Sequence, residues 1–199
     1  MNTPSFIETI KVLDGQFINL PYHYERMSRT IASFLNTAIS IDLSIDDIPV
    51  NLRTGLVKCR VAYSSNYISV EYTRYTFRKV ESLRLVEDNE IDYSYKYEDR
   101  SSLLSLLSRK ENCDDILIVK NGYITDTSYS NVVLENATGL YTPSSYLLSG
   151  TKRRMLLDQG RIKETDIKVS DLHHYSKLYL INSMIDIEDN ISLALSQVI

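Results

Sequence analysis

Residues 114–135 decide the fold, and they read Asp-Asp-Ile-Leu-Ile-Val-Lys-Asn-Gly-Tyr-Ile-Thr-Asp-Thr-Ser-Tyr-Ser-Asn-Val-Val-Leu-Glu. Ile116–Val119 is a short β-rich run. Asn121-Gly122 follows it, and this dipeptide tolerates positive φ in a two-residue hairpin turn. Tyr123–Thr125 resumes the extended pattern, and Val132–Leu134 has the apolar character of a further buried strand. The stretch therefore predicts a hairpin followed by another strand.

A polar segment, residues 126–131, separates the last two of these strands. Asp126 stands in a run that would otherwise be core, and a buried carboxylate is costly unless a partner satisfies it. Two interpretations are open at this point. Either the segment is an ordinary polar loop in which Asn131 caps its own backbone, or the acid has a specific partner.

Composition and charge limit the classes of protein that this chain can belong to. A length of 199 residues fits one domain or two small lobes that share a site. A hydrophobic content of 43% with 24% charged residues is typical of a globular protein with a core. The net charge of −4 argues against a general nucleic-acid binder.

No stretch is long and apolar enough to predict a membrane span. Met1–Ile10 lacks the basic head and apolar run of a secretory signal. Cys59 and Cys113 lack CxxC spacing, which favours reduced thiols in a cytosolic protein over a disulfide. We therefore expect a cytoplasmic protein without membrane or nucleic-acid partners.

The N-terminal part of the chain predicts a small α+β lobe. Phe6–Val12 alternates, and Asp14-Gly15 is a hairpin turn signal before the return strand at residues 16–19. From Pro21 the apolar residues recur at three- and four-residue steps, which predicts a helix. Val57–Tyr63 and Tyr67–Phe77 alternate again. These patterns predict an antiparallel sheet covered by a helix.

A charged connector at residues 78–82 marks the expected boundary between lobes. We therefore predict a small N-terminal lobe over residues 1–80 and a larger C-terminal lobe over residues 81–199. The larger lobe is expected to carry strands at Leu83–Val86, Asp166–Val169 and Leu178–Ile181, and helices at Ser102–Lys110, Thr151–Leu157 and Ser170–Tyr175. The fold class is α+β with two lobes.

Lys96 is flanked by two tyrosines, Tyr95 and Tyr97. Ile91–Tyr97 alternates aromatic and polar residues, which predicts a strand with Lys96 near its end. A lysine in this position can be desolvated, which lowers its pKa and frees the amine to attack carbonyls. The alternative is a lysine that extends along the tyrosines and keeps its ammonium group in water.

Three basic residues, Lys152, Arg153 and Arg154, fall in the first turn of the predicted helix at Thr151–Leu157. A helix N-terminus favours negative charge, so cations are unfavourable there. An anion at the helix start would explain them, with Gly150 letting the backbone approach closely. The alternative is a basic surface turn. No HExxH, GxSxG, Walker-type or GxGxxG pattern occurs, and no metal site is predicted.

Taken together, four segments resemble the class IV aminotransferase family, the fold-type IV group of pyridoxal-phosphate (PLP) enzymes. That group includes branched-chain and D-amino-acid aminotransferases and aminodeoxychorismate lyase. The likeness runs from Phe6 to about Asn182. The matching segments are Phe6–Ile10 with Asp14-Gly15 and His23–Arg26, then Tyr95–Tyr97 with Asp99-Arg100, then Gly122–Asp126 with Asn131, and finally Leu147–Arg153.

The resemblance implies roles for particular residues around a PLP cofactor. Lys96 would form the internal aldimine and later move a proton between the substrate α-carbon and the cofactor. Asp126 would pair with the pyridine nitrogen. Arg26 would hold the phosphate from one side, and the backbone amides of Thr151 and Lys152 would hold it from the other.

The remaining implied roles concern support and substrate. Gly150 would belong to the phosphate-binding turn, and Asn131 would fix the loop that aims the ring-facing acid. Arg60, Arg74 and Lys152 are candidates for the substrate carboxylate. Amino acid and keto acid substrates and a homodimer are likewise implied by the resemblance alone.

The activity that the resemblance implies is transamination of an amino acid through Lys96. Alternatives are pyruvate elimination from aminodeoxychorismate, a catalytically inactive binding protein that keeps the fold, and an unrelated α+β interaction protein. Three departures from the family pattern bear on this choice. Asp126 replaces the usual glutamate, the phosphate turn reads Gly-Thr-Lys-Arg rather than Gly-Ile-Thr-Arg, and the chain is short for the family.

Overall fold

The structure, a computed structural model, describes residues 4–35 and 39–199, which form two compact units. The first unit is Met1–Phe77 with Tyr95–Asp99, and the second is Arg78–Ser94 with Arg100–Ile199. The sequence placed the boundary at residue 80 and the lysine in the C-terminal lobe. The structure instead groups the lysine segment with the first unit, because the Ile7 N–H donates to the Lys96 carbonyl at 2.9 Å.

The first unit is a four-stranded antiparallel sheet with one long helix. The elements are β1 (Phe6–Leu13), β2 (Gln16–Phe17), α1 (Leu20–Phe34), β3 (Leu56–Tyr63) and β4 (Ile68–Arg74). The strand order is β2-β1-β3-β4. The turn between β1 and β2 uses positive φ at Asp14 and Gly15 (48° and 77°), which confirms the predicted hairpin. Pro21 lies in the first turn of α1, as predicted.

An aromatic cluster fixes the lysine segment to this sheet. Phe6 on β1 lies 5.2 Å from Tyr97 between ring centroids, and Phe34 at the end of α1 lies 4.7 Å from Tyr95. Ring pairs at these separations add stabilisation beyond their buried area. Lys96 lies between the two tyrosines, so packing on both sides sets the position of its backbone.

The predicted strand over Ile91–Tyr97 is wrong, because the segment is irregular apart from a single bridge between Phe6 and Tyr97. Aspartate side chains explain the difference. Asp88 Oδ1 accepts hydrogen bonds from the backbone N–H groups of Glu90 and Ile91, and Asp92 Oδ1 accepts from Ser94. Such local bonds compete with a strand ladder.

The second unit contains two sheets and two short helices. Its elements are β5 (Leu83–Glu87), α2 (Ser101–Leu107), β6 (Asp115–Lys120), β7 (Tyr123–Thr127), β8 (Asn131–Asn136), β9 (Gly139–Pro143), α3 (Thr151–Asp158), β10 (Lys163–Thr165), β11 (Lys177–Ile181) and β12 (Ser192–Ala194). One sheet has the order β5-β6-β7 and the other β10-β9-β8-β11-β12.

The stretch at residues 114–135 folds as the sequence predicts. β6 and β7 form an antiparallel hairpin whose turn residues, Asn121 and Gly122, have φ of 52° and 79°. β8 follows in the neighbouring sheet, and its residues Val132, Val133 and Leu134 are fully buried. The polar segment therefore joins two buried strands.

Two predictions about the C-terminal part need correction. The strand expected at Asp166–Val169 lies earlier, as β10, where it pairs in parallel with β9. The helix expected at Ser170–Tyr175 is a 3-10 turn over Val169–His174. Within the described part of the chain both cysteines are free and buried, and no helix is long and apolar enough to cross a membrane.

Candidate active site

Arg26 lies in the interior of the first unit and is bound by Glu8. Its Nε donates to Glu8 Oε1 at 2.8 Å, and its Nη2 donates to Oε2 at 2.6 Å. Glu8 is fully buried on β1 and Arg26 is 7% exposed on α1. A planar guanidinium bound at two points by a carboxylate has a fixed orientation. The helix and the strand thus set the direction of the Arg26 side chain.

His23, one turn before Arg26 on α1, completes this buried cluster. Its Nδ1 lies 2.7 Å from Glu8 Oε2. Burial alone would raise the pKa of Glu8, but the Arg26 charge and the hydrogen bonds from Arg26 and His23 outweigh it and lower that pKa to about 2. The Glu8 side chain is therefore a carboxylate at neutral pH.

Lys96 is half-buried in the first unit, and its charge acts on His23 of this cluster. Burial is the main cause that lowers the pKa of His23, and the positive charges of Arg26 and Lys96 lower it further against the opposing effect of Glu8. The imidazole is therefore neutral at pH 7, and Arg26, Lys96 and Glu8 together give an excess of positive charge. Such an excess favours an anionic ligand.

Asp126 lies at the end of β7 in the second unit and is 5% exposed. Its Oδ1 accepts a hydrogen bond from Asn131 Nδ2 at 2.8 Å. Its Oδ2 accepts from the backbone N–H groups of Leu147 and Leu148 at 3.2 Å and 2.9 Å. Three neutral donors thus hold the carboxyl group in one orientation.

These three donors do not fully compensate the burial of the acid. Burial raises the pKa of Asp126 to about 6, against the opposing effects of the Leu148 N–H, the Asn131 amide and the charge of Arg153. A nearby positive charge would favour the carboxylate further. A cationic hydrogen-bond donor at this acid would therefore lower its pKa and stabilise the carboxylate.

The turn that follows this acid ends at Gly150, the N-cap residue of α3. Gly150 provides no capping side chain, and no acidic residue lies in the first turn of the helix. A Cβ atom at Gly150 would fall 1.9 Å from Asn131 Oδ1. Glycine is therefore required here by a neighbouring side chain. Thr151, the first residue of α3, is 4% exposed.

The basic run at the start of α3 is paired within the chain. Lys152 pairs with Asp186, Arg153 with Glu164, and Arg154 with Asp158. These acids are a second explanation for the cations at the helix start, and a bound anion there stays a prediction. The resemblance implied two roles for Lys152, its backbone N–H at the phosphate and its side chain at the substrate carboxylate, and the side chain is paired with Asp186.

The two arginine candidates for a substrate carboxylate also have partners inside the first unit. Arg60 donates to Glu98 at 2.6 Å, and Tyr67 donates to the other oxygen of Glu98 at 2.5 Å. Arg74 donates to the backbone carbonyl groups of Thr54 and Asn51. These contacts are all within the chain, so binding of a substrate carboxylate by either arginine stays a prediction.

Sequence reasoning missed Glu8, His23 and the backbone N–H groups of Leu147 and Leu148. Glu8 could have been found from the sequence, because it lies on the same apolar face of β1 as Phe6 and Ile10. An acid at a core-facing strand position needs a buried partner. The two leucine amides carry no sequence signal, since any residue would supply the same N–H groups.

Comparisons with known proteins identify the family to which the chain belongs. The family described as amino-transferase class IV matches residues 99–188. An uncharacterized protein of Haemophilus influenzae (strain Rd) is 32% identical over 180 residues, which is 89% of this chain and 96% of that protein.

Solved structures agree with this assignment. A candidate 4-amino-4-deoxychorismate lyase from Haemophilus somnus 129PT has a TM-score of 0.81 at 32% identity, with 92% of this chain and 98% of that chain covered. A hypothetical aminotransferase from Mycobacterium tuberculosis in its PLP-bound form shares the fold, with a TM-score of 0.74 at 18% identity over 92% of this chain and 78% of that chain. The protein belongs to the class IV aminotransferase family, which confirms the resemblance and the α+β fold class.

Proposed function

We propose that the protein is a PLP-dependent aminotransferase that acts on an amino acid, with Lys96 as the residue that holds the cofactor. Membership of the class IV aminotransferase family supports this assignment. The PLP-bound form of the Mycobacterium tuberculosis protein supports PLP as the cofactor, since that protein shares the fold.

One observation carries the proposal, namely the state of Asp126. The acid is buried, is held by three neutral donors, and has a pKa raised by burial to about 6. A protonated pyridine nitrogen is a cationic hydrogen-bond donor, so it would add to the effect of Arg153 and lower the pKa of the acid further. The residues present therefore fit the ring of the cofactor, although aspartate replaces the usual glutamate.

The phosphate group also fits residues of the chain. Arg26 is a cation whose orientation is set by its ion pair with Glu8. At α3 the first backbone N–H groups of the helix have no capping side chain from Gly150, and helix starts of this kind favour anions. Arg26, Thr151 and Lys152 are the residues proposed to hold the phosphate.

When bound, the cofactor would supply an aldehyde carbon for covalent attachment and an aromatic ring that accepts electrons from the substrate. The chain's own residues would do the rest. The Lys96 amine would take the proton from the substrate α-carbon and deliver it to the cofactor, as the resemblance implies. Asp126 would hold the proton on the ring nitrogen, and Arg26 would keep the phosphate in place.

A second candidate activity is the elimination of pyruvate from aminodeoxychorismate. The observation that favours it is the Haemophilus somnus structure, which is 32% identical and is 98% covered by this chain. The same comparison removes one argument for an inactive binding protein, because the short length of this chain is shared with that relative. Lys96 and Asp126 serve both activities.

We also infer a homodimer with amino acid and keto acid substrates, as the family resemblance implied, and a cytoplasmic location, as the cysteine pattern indicated. Light scattering of the purified protein tests the dimer directly. A monomer at micromolar concentration would contradict it.

The activity is tested by half-reactions of the PLP-loaded protein with a panel of L- and D-amino acids. Bleaching of the cofactor absorbance with release of a keto acid supports transamination. Release of pyruvate from aminodeoxychorismate, without amino transfer to any keto acid, supports the lyase. A coloured protein that performs neither reaction supports the inactive binding protein.

A further inference from the structure

Asn131, at the start of β8, connects Asp126 to the turn that precedes α3. Its Nδ2 donates to Asp126 Oδ1 at 2.8 Å and to the Leu148 carbonyl at 3.0 Å. A primary amide carries two N–H hydrogens, so both donors of this group are used. One side chain thus binds the acid and the backbone of the turn at the same time.

The turn is also bound directly to the acid. The Leu148 N–H donates to Asp126 Oδ2 at 2.9 Å, while the Leu148 carbonyl accepts from Asn131. Asp126, Asn131 and Leu148 therefore form a closed ring of hydrogen bonds. A displacement of any one residue therefore changes the lengths of its hydrogen bonds to both of the others.

Gly150 shows how closely Asn131 fits against the helix start. Its φ of −69° and ψ of 137° are open to every residue, so the backbone does not require glycine. The requirement comes from Asn131, because a Cβ at position 150 would lie 1.9 Å from Oδ1 and 3.1 Å from Cγ. A side chain at Gly150 would therefore push the Asn131 amide away from Asp126.

We propose that Asn131 is a positioning residue that couples Asp126 to the start of α3, so that the state of the acid and the geometry of the helix start change together. The coupling is a property of the chain itself. Its role in joining the ring and phosphate ends of the cofactor rests on the proposed function. By reciprocity, whatever ligand orders one end of this connection favours binding at the other.

A double-mutant cycle on the cofactor-free protein tests the contact. Gly150→Ala, Asn131→Ala and the combination are compared by the midpoint of urea unfolding. Gly150→Ala is expected to lower the midpoint strongly in the wild type and much less when Asn131 is already alanine, since the clashing atoms are then absent. Equal losses in both backgrounds would overturn the proposal.

If Gly150→Ala alone does not fold, its recovery in the Asn131→Ala background gives the same answer. Failure to fold in both backgrounds would overturn the proposal. The matched control is Asn136→Ala, which removes the same side chain at the opposite end of β8. The Asn136 side chain accepts hydrogen bonds from Thr138 instead, so its removal should leave the effect of Gly150→Ala unchanged.

A second measurement reads Asp126 itself. The carboxyl carbon of Asp126 is titrated by NMR in the cofactor-free wild type and in a folded variant at position 150 or 131. Loss of the Asn131 donor is expected to raise the pKa of Asp126. An unmoved titration in Asn131→Ala would overturn the proposal.

The coupling between the ring and phosphate ends of the cofactor is tested by measuring the affinities for PLP and for pyridoxal, which lacks the phosphate. In the wild type the ratio of the two affinities measures what the phosphate contributes. Asn131→Ala is expected to reduce that ratio by about fivefold or more, whereas a purely structural defect would weaken both ligands equally. A wild type that binds neither ligand would refute the proposed function but leave the coupling in the cofactor-free chain standing.

Discussion

Arg26 binds Glu8 through two hydrogen bonds, Nε to Oε1 at 2.8 Å and Nη2 to Oε2 at 2.6 Å, in the interior of the first unit. His23 approaches the same carboxylate at 2.7 Å. Breaking a buried ion pair by removing one partner leaves an uncompensated charge, which is strongly destabilising. The Arg26 side chain thus depends on Glu8 for both its orientation and its burial.

Glu8→Gln should therefore change the acid stability of the protein. The pKa of Glu8 is about 2 in the folded chain against 4.5 for an ordinary glutamate. A lowered folded pKa adds stability above pH 4.5, and this stability is lost as the pH falls from 4.5 towards 2. The shift corresponds to about 3 kcal/mol.

Urea unfolding of wild type and Glu8→Gln over this pH range measures the effect. The wild type should lose about 3 kcal/mol more than the variant between the two pH values, and the variant should already be less stable at neutral pH. The control is Glu71→Gln on β4, where the glutamate is exposed. Parallel curves for wild type and Glu8→Gln would contradict the assignment.

Lys96→Met should raise the pKa of His23. Burial is the main reason that this pKa lies below 6.5, and the positive charge of Lys96 adds to the effect. Removing that charge favours the imidazolium form. The measurement is an NMR titration of the His23 ring nitrogens.

The matched control is Lys58→Met, which removes a lysine from the other face of the sheet in the first unit. It should leave the His23 titration in place. A His23 pKa that does not move in Lys96→Met would show that the lysine is not close to the Glu8 and Arg26 cluster.

Asp126→Asn should make the cofactor-free protein less sensitive to pH while removing activity. The pKa of Asp126 is raised from 3.8 to about 6. A raised folded pKa of an acid means that stability is present below 3.8 and is lost as the pH rises through 6. The loss corresponds to about 3 kcal/mol.

Urea unfolding of both proteins across this range tests the prediction. The wild type should fall by about 3 kcal/mol relative to the asparagine variant, which cannot ionise. Turnover should fall at every pH because asparagine cannot supply the negative charge at the ring nitrogen. A variant with the same pH dependence as the wild type would contradict the account of this acid.

Arg153→Met should cost far more stability than Arg154→Met. Arg153 is 4% exposed, donates to the Pro143 carbonyl at 2.9 Å, and lies 4.0 Å from the Tyr146 ring centroid. Glu164 is 45% exposed and is solvated when its partner is lost, but the buried Pro143 carbonyl loses its donor, which costs about 1–3 kcal/mol. The exposed pair of Arg154 with Asp158 is worth about 0–1 kcal/mol.

Arg153→Lys should not restore the loss, because an ammonium group cannot reproduce the planar contacts. Thermal and urea unfolding of the three variants decide between a structural and an anion-binding role of the basic run. Equal stability of Arg153→Met and Arg154→Met would contradict the structural role.

The sequence predicted those parts of the fold that depend on local patterns. The Asn121-Gly122 hairpin, β8, α1 and the Asp126 to Asn131 segment follow from turn chemistry and apolar periodicity. The lysine segment was mispredicted because its alternation is real but Asp88 and Asp92 hold the backbone in turns.

Long-range partners could not be predicted in the same way. The basic run at α3 looked uncompensated because its acids, Asp186 and Glu164, lie 34 and 11 residues further along the chain. The Glu8 contact with Arg26 spans 18 residues and joins a strand to a helix. Pairings of this kind depend on the tertiary fold, which no local pattern encodes.

The central claim is that Lys96 holds the PLP cofactor, and reduction with borohydride tests it most directly. The PLP-loaded protein is reduced, digested and mapped by mass spectrometry, beside Lys96→Ala and the exposed-lysine control Lys163→Ala. We predict that the yellow absorbance disappears on reduction, that the pyridoxyl group is found on Lys96 alone, and that Lys96→Ala folds normally without the absorbance. A label on another lysine, or an unchanged yellow protein in Lys96→Ala, would contradict the account.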